Sequence, residues 1–458
     1  MEAITLVHQI IKTLNNYLWG WPMLVLLFGT HLFLTIRLRF PQRYLFRGIK
    51  LSFGKDSEGQ GEVSHFGSLS TALAATIGTG NIIGVATALS LGGPGAILWM
   101  WLTGVFGIST KYAEALLAVK YRQRTCAGTM LGGPMFALEY GLKQKWLAVL
   151  FCVFTALAAF GIGNMVQANS AAHLLKDTFG IVPWFSGVFI AIITALVIIG
   201  GLRSIAEVCK MLVPFMAIFY VAGCLIILIM NTAYLLPAVK LIVTSAFSYH
   251  AAGGGFVGAG MLAAMRWGIA RGLFSNEAGL GSAPIVAAAA RTDNPVRQAL
   301  VSSTGTFWDT VVVCAMTGLV LVSTICKNPS GMEGLIGGAL TNAVFGQIPV
   351  VGKPVLTMGL FTFVFSTILG WAYYGERAIE YLFKRKAISR YRVLWVLAVF
   401  VGSIMDIPLV WDFADAMNAL MAMPNLLSLI LLSGVIVAET RRFLWRPDIP
   451  EEQENLKD

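Results

Sequence analysis

Long apolar runs recur along the chain from Trp19 to Val437, parted by short polar breaks, and none of them alternates at period two. A helix that crosses the hydrocarbon core needs about 20 mostly apolar residues. On that ruler the pattern predicts about eleven spans, near 18–36, 67–91, 95–118, 148–172, 182–200, 211–231, 257–289, 303–323, 355–382, 393–410 and 413–438. Barrel strands would be shorter and would alternate. The expectation is an all-α polytopic membrane protein, with residues 1–458 forming one membrane domain.

Composition supports a lipid solvent. The chain is 57% hydrophobic and 12% charged, against about 25% charged in an ordinary soluble domain. Its net charge of +10 is banded. Arg37, Arg39, Arg43, Arg47, Lys50 and Lys55 follow the first span, and comparable groups begin at Lys120, Arg203, Arg291, Lys384 and Arg441. Every second loop is basic, which predicts an outside N-terminus and a cytoplasmic C-terminus for a multi-pass protein of a bacterial-type cytoplasmic (inner) membrane. Basic residues do not interleave with aromatics as on a nucleic-acid surface, so no nucleic-acid partner is expected.

Six dispersed cysteines and five dispersed histidines point to no metal cluster. No basic n-region precedes the first apolar run, so that run is expected to remain as a helix. No G-x-x-x-x-G-K-[ST] loop is present, and Gly78-Thr79-Gly80 lacks the spacing and preceding strand of a dinucleotide site. Neither ATP nor an organic cofactor is expected.

Two spans carry chemistry at their middle. Ala75-Thr76-Ile77-Gly78-Thr79-Gly80-Asn81 interrupts the second. Glycine costs roughly 1 kcal/mol relative to alanine in a helix, and unpaired main chain in lipid costs several more unless something polar fills it. The competing explanation is close packing, since Gly80 and Gly84 form a G-x-x-x-G face. The seventh span is interrupted from Arg271 to Gly281 by Ser275, Asn276, Glu277 and three glycines, and Pro284 follows. Packing does not account for a carboxyl group there, because an intramembrane charge costs about 3 kcal/mol.

With the 18–36 helix set aside, each break lies in the first helix of a run of five, entered from opposite sides. That is the pattern of two inverted five-helix repeats with discontinuous first helices, about 60–235 and 250–440, followed by a tail at 441–458. Free N–H groups near Gly80 and Asn81 would suit a carboxylate. Free carbonyls around Leu273 and Phe274 would suit an ammonium or sodium ion. Ser366 and Thr367 offer adjacent hydroxyls at mid-span, with back-bonding to their own helix as the alternative. Asn164 and Gln167 share a face at i, i+3, either toward a ligand or toward another helix. Trp371 is placed to wall a pocket or to pack.

The stretches Gly78-Thr79-Gly80-Asn81, Gly161-Ile162-Gly163-Asn164 with Gln167, and Ser275-Asn276-Glu277-Ala278-Gly279-Leu280-Gly281-Ser282-Ala283-Pro284 resemble the alanine or glycine:cation symporter family across roughly Gly61 to Arg442. The resemblance implies a leucine-transporter-type fold and sodium-coupled uptake of alanine or glycine by alternating access. It places substrate contacts at Thr76, Gly78, Gly80, Gln167, Phe274, Asn276 and Trp371. It places sodium at main-chain carbonyls near Ala75 and Ile77 with Ser366 and Thr367, and a second ion beside Asn81 follows the wider fold's Gly-x-Gly-Asn pattern. Two alternatives stay open: proton coupling with H+ relayed by Glu277, and an ion channel, whose pore is also lined by broken helices.

Overall fold

The structure is a computed structural model, and it describes residues 2–54, 59–125, 128–248, 260–405 and 408–445. Lys55, Cys126, His250, the start of the 257–289 span and the tail beyond Trp445 lie outside the described residues.

Apart from a short helix at Leu45–Ser52 and single turns elsewhere, the helices in chain order are α1 (Glu2–Leu18), α2 (Trp21–Arg37), α3 (His65–Thr76), α4 (Gly80–Gly92) and α5 (Gly95–Lys120). Then come α6 (Lys145–Phe179), α7 (Pro183–Ile198), α8 (Gly201–Met230), α9 (Thr232–Ala246) and α10 (Met261–Asn276). The remainder are α11 (Pro295–Lys327), α12 (Gly338–Phe345), α13 (Gly352–Phe383), α14 (Ile388–Ile404), α15 (Pro408–Leu431) and α16 (Ser433–Thr440). Among the described residues six helices are long and apolar enough to cross a membrane by length and composition, or eight when two bent pairs are each taken as one span.

Local chemistry sets several ends. Ser64 caps α3 by accepting from the Gly67 N–H at 3.0 Å, and Asn294 caps α11 through the Val296 and Arg297 N–H groups with Pro295 in the first turn. α4 stops at Gly93, whose φ of 71° lies in the left-handed region.

The long helices pack as a bundle around α5, which lies against both α10 and α11, and around α13, which lies against α3, α6 and α8. Polarity is reversed from that of a soluble domain. Ile192, Leu196, Ile218 and Ile229 on α7 and α8 are exposed, whereas Asn81, Lys111, Glu114, Glu277 and Asp309 are buried. An apolar rim around a polar centre is what a bilayer selects, because lipid offers polar groups no partner.

Wide π-type turns occur at Gly80–Gly84, Gly161–Met165 and Phe307–Cys314. Such turns free main-chain groups and cluster at functional sites. Here they bring Asn81, Gln167 and Asp309 to the centre of the bundle.

Two helices were not foreseen from hydropathy. α9 has 15 residues, short of a span, and α1 is amphipathic. α1 meets α2 at a 46° bend. It lies along the start of α15, where His8 pairs with Asp412 at 2.7 Å, Asn15 donates to the Asp412 carbonyl at 2.7 Å and Trp19 donates to the Asp415 carbonyl at 3.1 Å. Between α11 and α13 the connecting chain forms the short helix α12.

Candidate functional site

Both predicted breaks are present, and they face each other. α3 ends at Thr76, Ile77 is extended, and α4 leaves at 53° to α3. The break is held from three directions. The Gln167 side-chain carbonyl accepts the Thr79 N–H at 3.2 Å, the Asn81 side-chain carbonyl accepts the Gly78 N–H at 2.9 Å, and the Thr367 hydroxyl donates to the Ile77 carbonyl at 3.2 Å. A Cβ at Gly78 would lie 2.6 Å from Thr367 Oγ1 and 3.2 Å from Gln167 Oε1. At Gly80 it would meet the Phe274 ring at 3.0 Å and Ser275 Cα at 3.2 Å. The glycines therefore let the main chain of one break approach the other helix directly.

The second break falls later than the sequence suggested. α10 runs helically through Asn276, and the Leu273 carbonyl, expected to be free, accepts the Glu277 N–H at 2.9 Å. Gly272 had argued for an earlier interruption, but it is a packing glycine whose Cβ would meet Thr103 Cβ at 3.2 Å. Unwinding spans 277–283: Glu277 takes φ 56°, and Gly279 and Gly281 take φ 99° and 83°. A left-handed non-glycine residue costs roughly 1–2 kcal/mol, so Glu277 must be held. Its carboxylate accepts from Trp371 Nε1 at 2.8 Å and from the Ser282 hydroxyl at 2.5 Å.

The other sequence candidates divide. Thr76, Gln167, Phe274, Asn276 and Trp371 are all buried around the breaks. Asn276 is engaged by protein at both ends, donating to Thr310 Oγ1 at 3.1 Å and accepting the Ala278 N–H at 2.8 Å. Asn164 turns away and donates to the Trp395 carbonyl, so Gln167 alone of that pair reaches the break. Ser366 donates to the Ala74 carbonyl at 3.2 Å. Ala75 itself packs against Gly370, where an added Cβ would lie 2.6 Å from Ala75 Cβ. Both hydroxyls also back-bond to the Phe363 carbonyl, at 2.9 and 3.0 Å.

Sequence reasoning passed over three charged residues. Asp309 accepts from Asn81 at 2.8 Å, Ser275 at 2.8 Å and Thr310 at 2.6 Å, joining the two breaks through one carboxylate. Glu114 accepts the Gly279 and Gly281 N–H groups at 2.9 and 3.1 Å and the Asn425 amide at 2.7 Å. Lys111 is buried beside them. Each was visible as a charge inside an apolar run, itself a functional signal in a membrane helix. Arg271 does not pair with Glu277; it forms a bidentate pair with Asp415 at 2.9 and 3.3 Å.

The centre is closed at both ends. At one end Phe274 stacks on Trp411 at 5.5 Å, and the Arg271 guanidinium lies 5.4 and 5.7 Å from those two rings. Beyond this lid is a cavity of about 450 Å³ lined in part by His173, Asp177, Asp412 and Asp415. At the other end the chain before α3 bridges the chain after the second break. The Glu62 N–H donates to the Ala289 carbonyl at 2.8 Å and the Arg291 N–H to the Val63 carbonyl at 2.8 Å. Arg122 clamps the seam, donating to the carbonyls of Gln60, Ala288, Ala290 and Thr292.

This geometry agrees with what the chain is similar to. A model of the sodium:alanine symporter family matches residues 4–456. The chain belongs to that family. It is 53% identical to the sodium/alanine symporter AgcS of Methanococcus maripaludis over 95% of this chain and 97% of that one. It is 34% identical to the probable sodium/glutamine symporter GlnT of Bacillus subtilis over 94% of this chain and 89% of that one. Among solved structures, that of MhsT in complex with L-phenylalanine aligns at a TM-score of 0.58 with 16% identity, covering 82% of this chain and 90% of that one. That likeness shows the fold, a leucine-transporter-type arrangement of helices. This member of the sodium:alanine symporter family is thus a multi-pass membrane transporter, a secondary active symporter, as its two broken helices and paired closures suggested.

Proposed function

We propose that this symporter carries a small neutral amino acid, alanine or glycine, into the cell with sodium. The observation that supports it best is the approach of the first break, at Gly80, to Phe274 and Ser275 at the end of α10 just before the second break, inside a centre closed at both ends. A zwitterion needs donors for its carboxylate and acceptors for its ammonium. The main-chain N–H groups at Gly78–Gly80, held in the structure by Gln167 and Asn81, supply the first set, and the end of α10 supplies the second. Phe274 and Trp371 are the aromatic rings placed to wall the site.

Sodium fits the oxygen set formed by the Ala74 and Ile77 carbonyls with Ser366 and Thr367, since a hard cation takes oxygen ligands. Ala75 supplies the helical turn between those carbonyls. Asn81 and Asp309 form a second oxygen-rich position bordering both breaks. Bound sodium would therefore rest on the same main-chain segments as the substrate, and that sharing couples them. One sodium ion moving down 100 mV releases about 2.3 kcal/mol, and a tenfold gradient adds about 1.4 kcal/mol. Together they support accumulation of roughly several hundredfold.

The lid of Phe274, Trp411 and Arg271 faces the outside in this reading, and the Arg122 seam faces the cytoplasm of an inner-membrane protein, with the N-terminus outside. The deciding experiment is uptake of radiolabelled alanine and glycine into proteoliposomes under imposed sodium or proton gradients. Sodium-driven, saturable, counterflow-competent uptake is expected. Uptake that follows the proton gradient alone would replace sodium by a proton relay through Glu277, and substrate-independent ohmic current would indicate a channel.

A further inference from the structure

Lys111 is the one charged group at the centre that the transport reading leaves without a task. It lies in mid-α5 at 3% exposure, and its ammonium has no hydrogen-bond partner. It takes part in none of the ion pairs among the described residues. Its helix face is well defined. Gly107, one turn earlier, approaches Ala278, where a Cβ would come within 3.1 Å, and Glu114, one turn later, binds the Gly279 and Gly281 N–H groups. Positions four and three apart share a helix face, so Lys111 runs alongside the unwound 277–283 segment.

Three carboxylates feel its charge: Glu114, Glu277 and Asp309. One ammonium stands among three acidic side chains in a buried, low-dielectric space. His31 also faces this compartment from α2, with Nδ1 on Thr110 and Nε2 unpartnered, and one Glu114 oxygen is unpartnered as well. A buried charge without a partner is stable only when the surroundings compensate it. A bound coupling cation would share this acidic compartment with Lys111, and its departure leaves the ammonium to compensate the acids alone.

We propose that Lys111 is the resident counter-ion of the unloaded carrier: when the coupling cation leaves, its ammonium closes onto the Glu277 carboxylate and permits the empty transporter to reorient. This rests on the reading of a cation-coupled cycle given above. Glu277 is the acid in question because it sits at the start of the unwound segment and grips Trp371, so pairing there is felt directly at the substrate wall. Glu114 has one unpartnered oxygen but lies on the same helix as Lys111, so pairing there is not felt at the substrate wall, and Asp309 borders the cation's own position.

The test separates two transport modes in proteoliposomes. Net sodium-driven uptake needs the empty carrier to return, whereas exchange of external labelled alanine for internal alanine, with sodium on both sides, does not. Lys111→Met should lower net uptake about tenfold or more and leave exchange within about twofold of wild type, with Lys111→Arg restoring net uptake. Unchanged net uptake in Lys111→Met, or equal loss of both modes in a folded, monodisperse variant, would overturn the proposal. Absence of alanine exchange in the wild type would instead overturn the substrate reading. Should Lys111→Met not assemble, the wild type decides by its structures with and without sodium. The ammonium should lie within about 4 Å of the Glu277 carboxylate only in the sodium-free state, and persistent separation in both states would refute the idea.

Discussion

The two broken helices solve the same problem in different ways. The first break is short, three residues from Ile77 to Thr79, and its main chain is touched by uncharged side chains from elsewhere: Gln167, Asn81 and Thr367. The second spans 277–283 and is built around carboxylates, with Glu114 tying down two of its amides and Glu277 locked to Trp371 and Ser282. Neutral partners at 3.2 Å can be exchanged for a ligand at little cost. Charge-assisted bonds in a buried site are about twice as strong as neutral ones. The comparison assigns ligand exchange to the first break and rigidity to the second.

Substitutions can break or sharpen that contrast. The largest effect is expected for Glu114→Ala, which strands the Gly279 and Gly281 N–H groups and the Asn425 amide. At about 1–3 kcal/mol for each unsatisfied group, the loss should appear as a collapse of thermal stability in detergent, together with loss of uptake. Gly78→Ala should act oppositely, abolishing uptake while the melting temperature stays near wild type, because its Cβ intrudes on Thr367 and Gln167 where the site is built to change partners. If Gly78→Ala destabilises as much as Glu114→Ala, the division of labour is wrong. A smaller, selective change is expected for Thr367→Ala: roughly a tenfold rise in the sodium concentration for half-maximal uptake, with substrate affinity at saturating sodium little altered. Unaltered sodium dependence would remove Thr367 from the ion's ligands. The smallest is His8→Ala, which removes the side-chain pair of α1 with Asp412 at the lid end without touching either break. Apparent substrate affinity should change by about twofold to threefold with the sodium dependence intact, read from uptake kinetics.

Much of this organisation is readable from the chain before any coordinates. The six long apolar helices overlap spans expected from apolar length, and both breaks followed from glycine and polar residues at mid-span. Position within a break was harder. Gly272 and Gly279 look alike in the sequence, but one fills a helix crossing against Thr103 and the other adopts φ 99°. Only tertiary contact distinguishes them. Asp309 was missed because its partners, Asn81 and Ser275, lie 228 and 34 residues away. Asn164 and Gln167 are equivalent by periodicity, yet the wide turn at Gly161–Met165 sends one to α14 and the other to the break. α1 escaped because an amphipathic helix at the bundle's edge lacks the apolar length on which the span count relied.

The Arg122 clamp bears on how the door at its end of the site must hinge. Gln60 belongs to the approach to α3, and Ala288, Ala290 and Thr292 belong to the exit from the second break, yet one guanidinium grips all four. Strand-like main-chain bonds beside it bind the same two stretches edge to edge. While that splice holds, neither can swing alone: the door is a single leaf, and whatever pulls on one half of it is felt across the whole panel.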